Sequence, residues 1–577
     1  MKKKLLPALI VTGLIILVVI IMGITALINK YTPTKKTEDL KEYFNISSDD
    51  EAALIVNNEL SDYKAKIIDK KIYVDYKFVH DSLNSRFYWD ANENVLLYTT
   101  ASDIISAAAD SNSYSVTKQT NDFGYPIVKA TSDSALIALD YVKQYSNITF
   151  KSYDDPARIV ITSKWDEIDS ATVSKSTQVR VKGGIKSPIL KEVKKDDKIT
   201  ILDSGDKWDK VATEDGVIGY IKRKALSESK KTKLTNPDYE EETFTHIKKD
   251  KDICLAWNQV TSQSANSKVP QVISSTKGIN VMSPTWFYLN DNNGNLADIA
   301  SKDYVSYCHS QGIEVWGLFS NFENTDVDAA YVLTHTSTRT TLINQIMSAA
   351  FNYELDGVNI DFENITEAAY GDSYIEFIRE LSIKCHNNGI SLSVDVTVPA
   401  SFNKFFNRSD MAKFADYIVI MGYDEHYKGS DAGSVSSIPW VTEGVESTLK
   451  EVPADQIILG MPFYTRIWEL TPKEDDDAVT DTEDQSKYTV ASQVYSMDAA
   501  AAQLATNNAT AALDEKSGQN YAEWSASNKL YKVWLEDSTS LEKRLKLVDD
   551  NKLAGAAFWK LGFENSSVWD TVIKYLN

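Results

Sequence analysis

The run Leu355-Asp356-Gly357-Val358-Asn359-Ile360-Asp361-Phe362-Glu363 carries two carboxylates two residues apart near its end. Side chains alternate across an extended strand, so Asn359, Asp361 and Glu363 share one face. Val358, Ile360 and Phe362 share the other. That apolar set predicts packing against helices, and the polar set predicts the mouth of a barrel. Carboxylates inside a barrel are costly unless hydrogen bonds or chemistry hold them there; the alternative is a solvated strand-end pair. Other reactive groups are less suggestive. Asp424-Glu425-His426 offers metal-ligand types, but neighbours on a strand end point to opposite faces, so no metal is expected. Cys254, Cys308 and Cys385 are far apart, without ligand spacing, and are predicted to be buried free thiols. His309 and His386 stand in last helical turns just before Gly312 and Gly389, which is C-cap chemistry.

The elements that must position this strand are legible around it. From Lys249 onward apolar strands alternate with helical stretches, the pattern of βα units and a parallel sheet. Candidate strands are Ile253–Trp257, Gly278–Met282, Glu314–Phe319, Gly357–Phe362, Ser391–Val398, Tyr417–Met421, Ile457–Pro462 and Gly555–Trp559. Eight strands over residues 249–577 fit an α/β fold, the (β/α)8 TIM barrel, with a surplus between Trp468 and Gly555 that reads as an insertion. In this fold the active site lies at the C-terminal strand ends.

Those ends carry a family likeness. The segment Asp356 to Glu363 resembles the D-x-x-D-x-D-x-E signature of glycoside hydrolase family 18. Met421-Gly422-Tyr423-Asp424 is similar to that family's sixth-strand M-x-Y-D, Pro462-Phe463-Tyr464-Thr465-Arg466 to its P-F-Y-x-R, and Phe558-Trp559 to its closing tryptophan. The resemblance spans residues 249–577. It implies a retaining glycosidase with no protein nucleophile, in which the substrate's own 2-acetamido oxygen attacks the anomeric carbon. Carried over, Glu363 would be the general acid and Asp361 the anion that stabilises the oxazolinium. Tyr423 would hold the acetamido group and Trp559 would floor the sugar site. Asp424, Tyr464, Arg466, Asn359 and Asp356 would shape or bind. Asn359 departs from the pattern by replacing the family's middle Asp. An Asp there could share a proton with Asp361, whereas Asn only offers hydrogen bonds. An unshared Asp361 charge is then expected to raise the pKa of Glu363.

The 577 residues require several domains. Hydrophobic residues make up 43%, with 30 Tyr and 12 Trp, so the chain is a folded one. A net charge of −21 argues against a nucleic-acid partner, which needs a basic footprint. Lys2, Lys3 and Lys4 precede the apolar stretch 5–29, predicting an uncleaved transmembrane signal anchor, with a long cleaved signal peptide as the alternative, and the bulk of the chain on the extracellular, cell-wall side. Residues 30–37 read as a polar linker and 38–165 as a small α+β spacer domain, weakly resembling the copper amine oxidase N-terminal-like repeats of bacterial surface proteins. No His or Cys cluster accompanies it, so no copper is expected. Short strands over 166–228 fit a small all-β barrel. Their Val179-Arg180, Ser187, Leu190, Trp208, Val211 and Gly219-Tyr220 resemble the bacterial SH3-like wall-associated domain, with Trp208 and Tyr220 expected in its core. Residues 229–248 read as a linker.

The expectation is a membrane-anchored hydrolase of a β-linked N-acetylglucosamine glycan, needing no cofactor. Peptidoglycan is the first candidate substrate and chitin the second. A non-catalytic lectin is the competing class.

Overall fold

The computed structural model describes residues 5–363, 365, 370–473 and 484–576. Lys2 to Lys4 and residues 474–483 of the insertion lie outside the described residues. The described chain divides into two compact units: residues 1–87, 107–113 and 122–241, and residues 88–106, 114–121 and 242–577.

In the second unit eight parallel strands close on themselves: β1 (Ile253–Asn258), β2 (Val281–Leu289), β3 (Glu314–Ser320), β4 (Gly357–Asp361), β5 (Ser391–Thr397), β6 (Tyr417–Met421), β7 (Ile457–Pro462) and β8 (Gly555–Trp559). β1 pairs with both β2 and β8, which completes the ring. The alternation in β4 is borne out. Val358, Ile360 and Phe362 join the core between strands and helices, while Asn359 faces inward with Trp257, Trp316 and Leu318. β2 differs from expectation at both ends: it begins at Val281 rather than Gly278 and runs on to Leu289. Pro284 does not end it; a register shift between Thr285 and Phe287 absorbs the irregularity. At Gly357 only hydrogen fits, because a Cβ would lie 2.6 Å from the Trp316 indole.

The insertion after β7 is a five-stranded antiparallel sheet that begins at Tyr464–Pro472. Residues 88–106 also belong to this unit. Tyr88 Oη lies 2.9 Å from Ser373 Oγ, Thr99 Oγ1 donates to Glu376 at 2.9 Å, and Thr336 N donates to Asp90 at 2.6 Å.

The first unit starts with one helix, Leu5–Tyr31, long and apolar enough to cross a membrane, an 18-residue window within Leu9–Tyr31 having a mean hydropathy of 2.9. Two seven-stranded sheets follow. Their side chains share one core, in which Phe44, Ala53 and Ile55 pack with Val179, Ile199, Val211 and Ile221. Two stretches read as linkers carry structure. Ile189 N donates to Lys36 O at 2.8 Å and Glu38 N to Ile189 O at 2.8 Å, so the chain after the helix pairs with a sheet edge. Lys230–Lys233 pairs antiparallel with Glu167–Ser170, and lysines are common residues for an edge strand. Trp208 and Tyr220, expected in the core, are half-buried instead and flank Gly183; short aliphatic side chains fill the interior.

Candidate active site

At the C-terminal strand ends of the barrel opens a cleft of about 800 Å³. Glu363 and Asp361 line it together with Tyr423, Asp424 and Trp559. Five of the residues singled out in the sequence thus meet at one place.

Asp361 sits on the last position of β4 and is 6% exposed. Its Oδ1 is buried and has no hydrogen-bond partner. Burial, then the charges of Asp395, Glu363 and Glu323, push its pKa well above the usual carboxylate range. Glu363, just past the strand, is exposed to the cleft. The protein surrounding its carboxyl, followed by the charges of Asp424 and Glu323, raises its pKa. The sequence suggested Asp361 as the charge acting on Glu363. Asp361 and Glu363 do repel one another, and further charges reach the acid from the ends of β6 and β3, whose residues converge on it only in three dimensions.

Tyr423 and Trp559 are packed by a third aromatic. Trp257 at the end of β1 meets Tyr423 edge-on at 6.4 Å and Trp559 at 5.9 Å. Asp424 has a left-handed backbone (φ 62°), and the hydroxyl of Tyr464 donates to its carboxylate. Such backbone strain at a cleft is held by its surroundings. Tyr464 is buried and acts on the cleft through Asp424. The two residues after Asp424 are bonded to other partners: Glu425, at the edge of the cleft, accepts from Ser437 N at 2.7 Å, and His426 Nδ1 lies 2.9 Å from Asp431 O.

Besides Tyr464, three residues expected to shape the site or bind substrate do not line the cleft. Asp356 is at the opposite end of β4, where its carboxylate accepts from Val315 N at 2.8 Å and pairs with His309 at 2.8 Å. A strand rises about 3.3 Å per residue, so five residues separate Asp356 from the chemistry. Arg466 stands on the inserted sheet, donating to Ser492 at 3.1 Å beside the Trp468 ring. Asn359 is wholly buried beneath the cleft. Its Oδ1 accepts from Trp257 Nε1 at 3.0 Å and Ser283 Oγ at 2.9 Å. Its Nδ2 donates to Ser393 at 3.1 Å and Asp395 Oδ1 at 2.7 Å. Its hydrogen-bonding capacity is filled by protein.

The residues missed in the sequence are Asp395, Glu323 and Trp257. Asp395 had a visible signal: in Ser391-Leu392-Ser393-Val394-Asp395-Val396-Thr397 every second residue is polar, which marks an inward face holding a carboxylate. Glu323 sits in a loop after β3, held by Ser320 Oγ at 2.6 Å, and nothing in the local pattern announces it. The three cysteines are buried free thiols, and burial pushes those of Cys254 and Cys308 up to about 12.

An exposed carboxylic acid above a buried carboxylate with one unpartnered oxygen, at the C-terminal mouth of a (β/α)8 barrel, is the arrangement of a glycoside hydrolase. Residues 324–564 match the model of glycosyl hydrolases family 18, and this part of the chain is a family 18 domain. Among similar proteins, the uncharacterized glycosylase YvbX of Bacillus subtilis (strain 168) is 24% identical over 301 residues, 49% of this chain and 81% of that protein. The cortical fragment-lytic enzyme of the same organism is 24% identical over 287 residues, and the match spans 48% of this chain and 63% of that enzyme. Among solved structures, the Bacillus cereus spore cortex-lytic enzyme SleL has the same fold. It aligns with a TM-score of 0.50 at 18% identity, covering 56% of this chain and 74% of the other.

Proposed function

We propose that the protein is a membrane-anchored N-acetylglucosaminidase that cuts peptidoglycan by a substrate-assisted, retaining mechanism. The observation that carries the mechanism is the buried Asp361 oxygen without a partner, facing the same cleft as the exposed Glu363. A sugar whose 2-acetamido N–H bonds to Asp361 turns its acetamido oxygen toward the anomeric carbon. Glu363 protonates the departing glycosidic oxygen, and Asp361 stabilises the oxazolinium charge. Water then opens the oxazolinium from the same face, giving its proton to Glu363. Tyr423 positions the acetamido group, and Trp559 supplies the apolar floor. Asp424, held by Tyr464, shapes the site.

Peptidoglycan as the substrate is supported by the apolar N-terminal helix, the SH3-like segment and the cortex-lytic relatives. The helix would hold the chain on the outer face of a bacterial membrane, beside the wall. A chitin-type glycan is favoured by one different observation. Among the described residues lining the cleft there are six carboxylates, including Glu323 and Glu425, and no Lys or Arg. That lining suits a neutral glycan better than one bearing lactyl and peptide carboxylates.

The test is mass spectrometry of products after incubating the full chain in detergent with purified peptidoglycan, with Glu363→Gln as the blank. Fragments ending in reducing N-acetylglucosamine, absent from the blank, are the expected result. Cleavage of chitin oligosaccharides alone would establish the second reading. Glycan binding without products at any pH, unaffected by Glu363→Gln, would make the protein a lectin.

A further inference from the structure

We propose that Asp395, on β5, is the proton-sharing partner of Asp361, so that the second carboxylate of the site is supplied by the strand next to the one bearing the signature. The inference rests on the mechanism above and names a positioning residue that acts through Asp361.

Strand register carries it. In the parallel pairing of β4 with β5, Gly357 lies opposite Ser391, Asn359 opposite Ser393 and Ile360 opposite Val394. One further step brings Asp361 level with Asp395 on neighbouring strands, which lie about 4.8 Å apart. Both side chains are inward-facing by alternation, both line the cleft, and both are nearly inaccessible, at 6% and 4% exposure. Two carboxylates at one level in a buried site do not both ionise without large cost, so one proton between them is the stable state. Burial raises both pKa values well above the usual range, and the Asp395 charge is the largest charge acting on Asp361.

Asn359 then has a defined task. Its Nδ2 donates at 2.7 Å to Asp395 Oδ1, which leaves the other Asp395 oxygen for a proton, while Asp361 Oδ1 has no protein partner. The groups facing the pair are Asn359, which bonds Asp395, Glu363 past the end of β4, Tyr423 from β6, Tyr374 from the helix Gly371–His386, and Glu323, whose charge reaches Asp361. No lysine or arginine among the described lining residues neutralises the pair. In the free enzyme the pair holds one proton. When the acetamido N–H engages Asp361, that proton resides on Asp395 and Asp361 carries the full negative charge facing the oxazolinium. On product release the proton is shared again. No proton is exchanged with solvent, and the proton that Glu363 loses and regains is a separate one.

The test is the isosteric Asp395→Asn, which keeps an acceptor for Asn359, together with the double variant Asn359→Asp/Asp395→Asn. In the full chain, the acid limb of kcat/KM against pH is expected to rise by roughly one unit or more in Asp395→Asn, because the Asp361 anion loses the hydrogen bond from the protonated Asp395 carboxyl. The double variant, which puts a carboxylate back beside Asp361, is expected to return the limb toward the parent. Infrared pH-difference spectra give a readout independent of turnover: a buried protonated carboxyl persisting near neutral pH in the parent and lost in Asp395→Asn. An unshifted acid limb and an unchanged carboxyl band overturn the proposal. If no glycan is cleaved by the parent, the mechanism fails, and the infrared band alone decides whether the proton is shared.

Discussion

Trp257 donates its indole N–H to Asn359 Oδ1 at 3.0 Å, tying the end of β1 to the middle of β4 directly beneath the cleft. With Ser283 on the same oxygen and Asp395 on the amide nitrogen, Asn359 is bonded on both sides. Asn359→Asp keeps both acceptor contacts but replaces the donor facing Asp395 with an oxygen. The lost hydrogen bond and the added charge both favour protonation of the buried carboxylates. Turnover is expected to persist, with the acid limb of the kcat/KM profile moving up by roughly one unit. An unchanged profile would show that position 359 does not govern protonation of the pair.

Glu363 must be protonated to act, so activity is lost as pH rises through its pKa. Desolvation by the surrounding cleft walls, then the charges of Asp424 and Glu323, raise that pKa and extend the active window upward. Glu323→Gln removes one of these charges while preserving a polar partner for Ser320. The alkaline limb is expected to move down by roughly one unit. A KM change with an unmoved limb would assign Glu323 to substrate contact instead.

The Tyr464 hydroxyl restrains Asp424, whose left-handed backbone aims it at the cleft. Tyr464→Phe removes a hydrogen bond to a charged group, a contact worth about 1.5–3 kcal/mol. If that restraint acts in the transition state, kcat is expected to fall roughly tenfold with little change in KM. Steady-state kinetics on one defined oligosaccharide checks the split.

Arg544 anchors the far wall. It is wholly buried, donates to Glu536 at 2.7 Å and to the Ser436 carbonyl, and Ser436 in turn donates to Gly422 O beside Tyr423. Arg544→Met strands the Glu536 charge in the interior and is expected to cost about 3–5 kcal/mol of stability. Denaturant unfolding measures it, and a smaller loss would mean that water reaches Glu536. Replacing both residues by apolar ones should recover much of the loss.

Periodicity and motif spacing were enough to place seven of the barrel strands and the first residues of the other, the Asn359–Asp361–Glu363 face, and the Tyr423, Asp424 and Trp559 strand ends. Each is a local property: alternation assigns a side chain to a face, and βα alternation assigns the face to a barrel. Asp356 was misread because a signature is linear while a strand has two ends, and only one opens on the cleft. Arg466 was misread because the strand that carries it leaves the barrel for the inserted sheet.

What the tertiary structure alone decided is which charges meet. The 395 and 361 positions are 34 residues apart in sequence but one step beyond the last paired rung of β4 and β5. Glu323 and Asp424 reach Glu363 from β3 and β6. Electrostatic coupling depends on distance through a low-dielectric interior, and that distance is set by register and barrel closure rather than by any spacing along the chain.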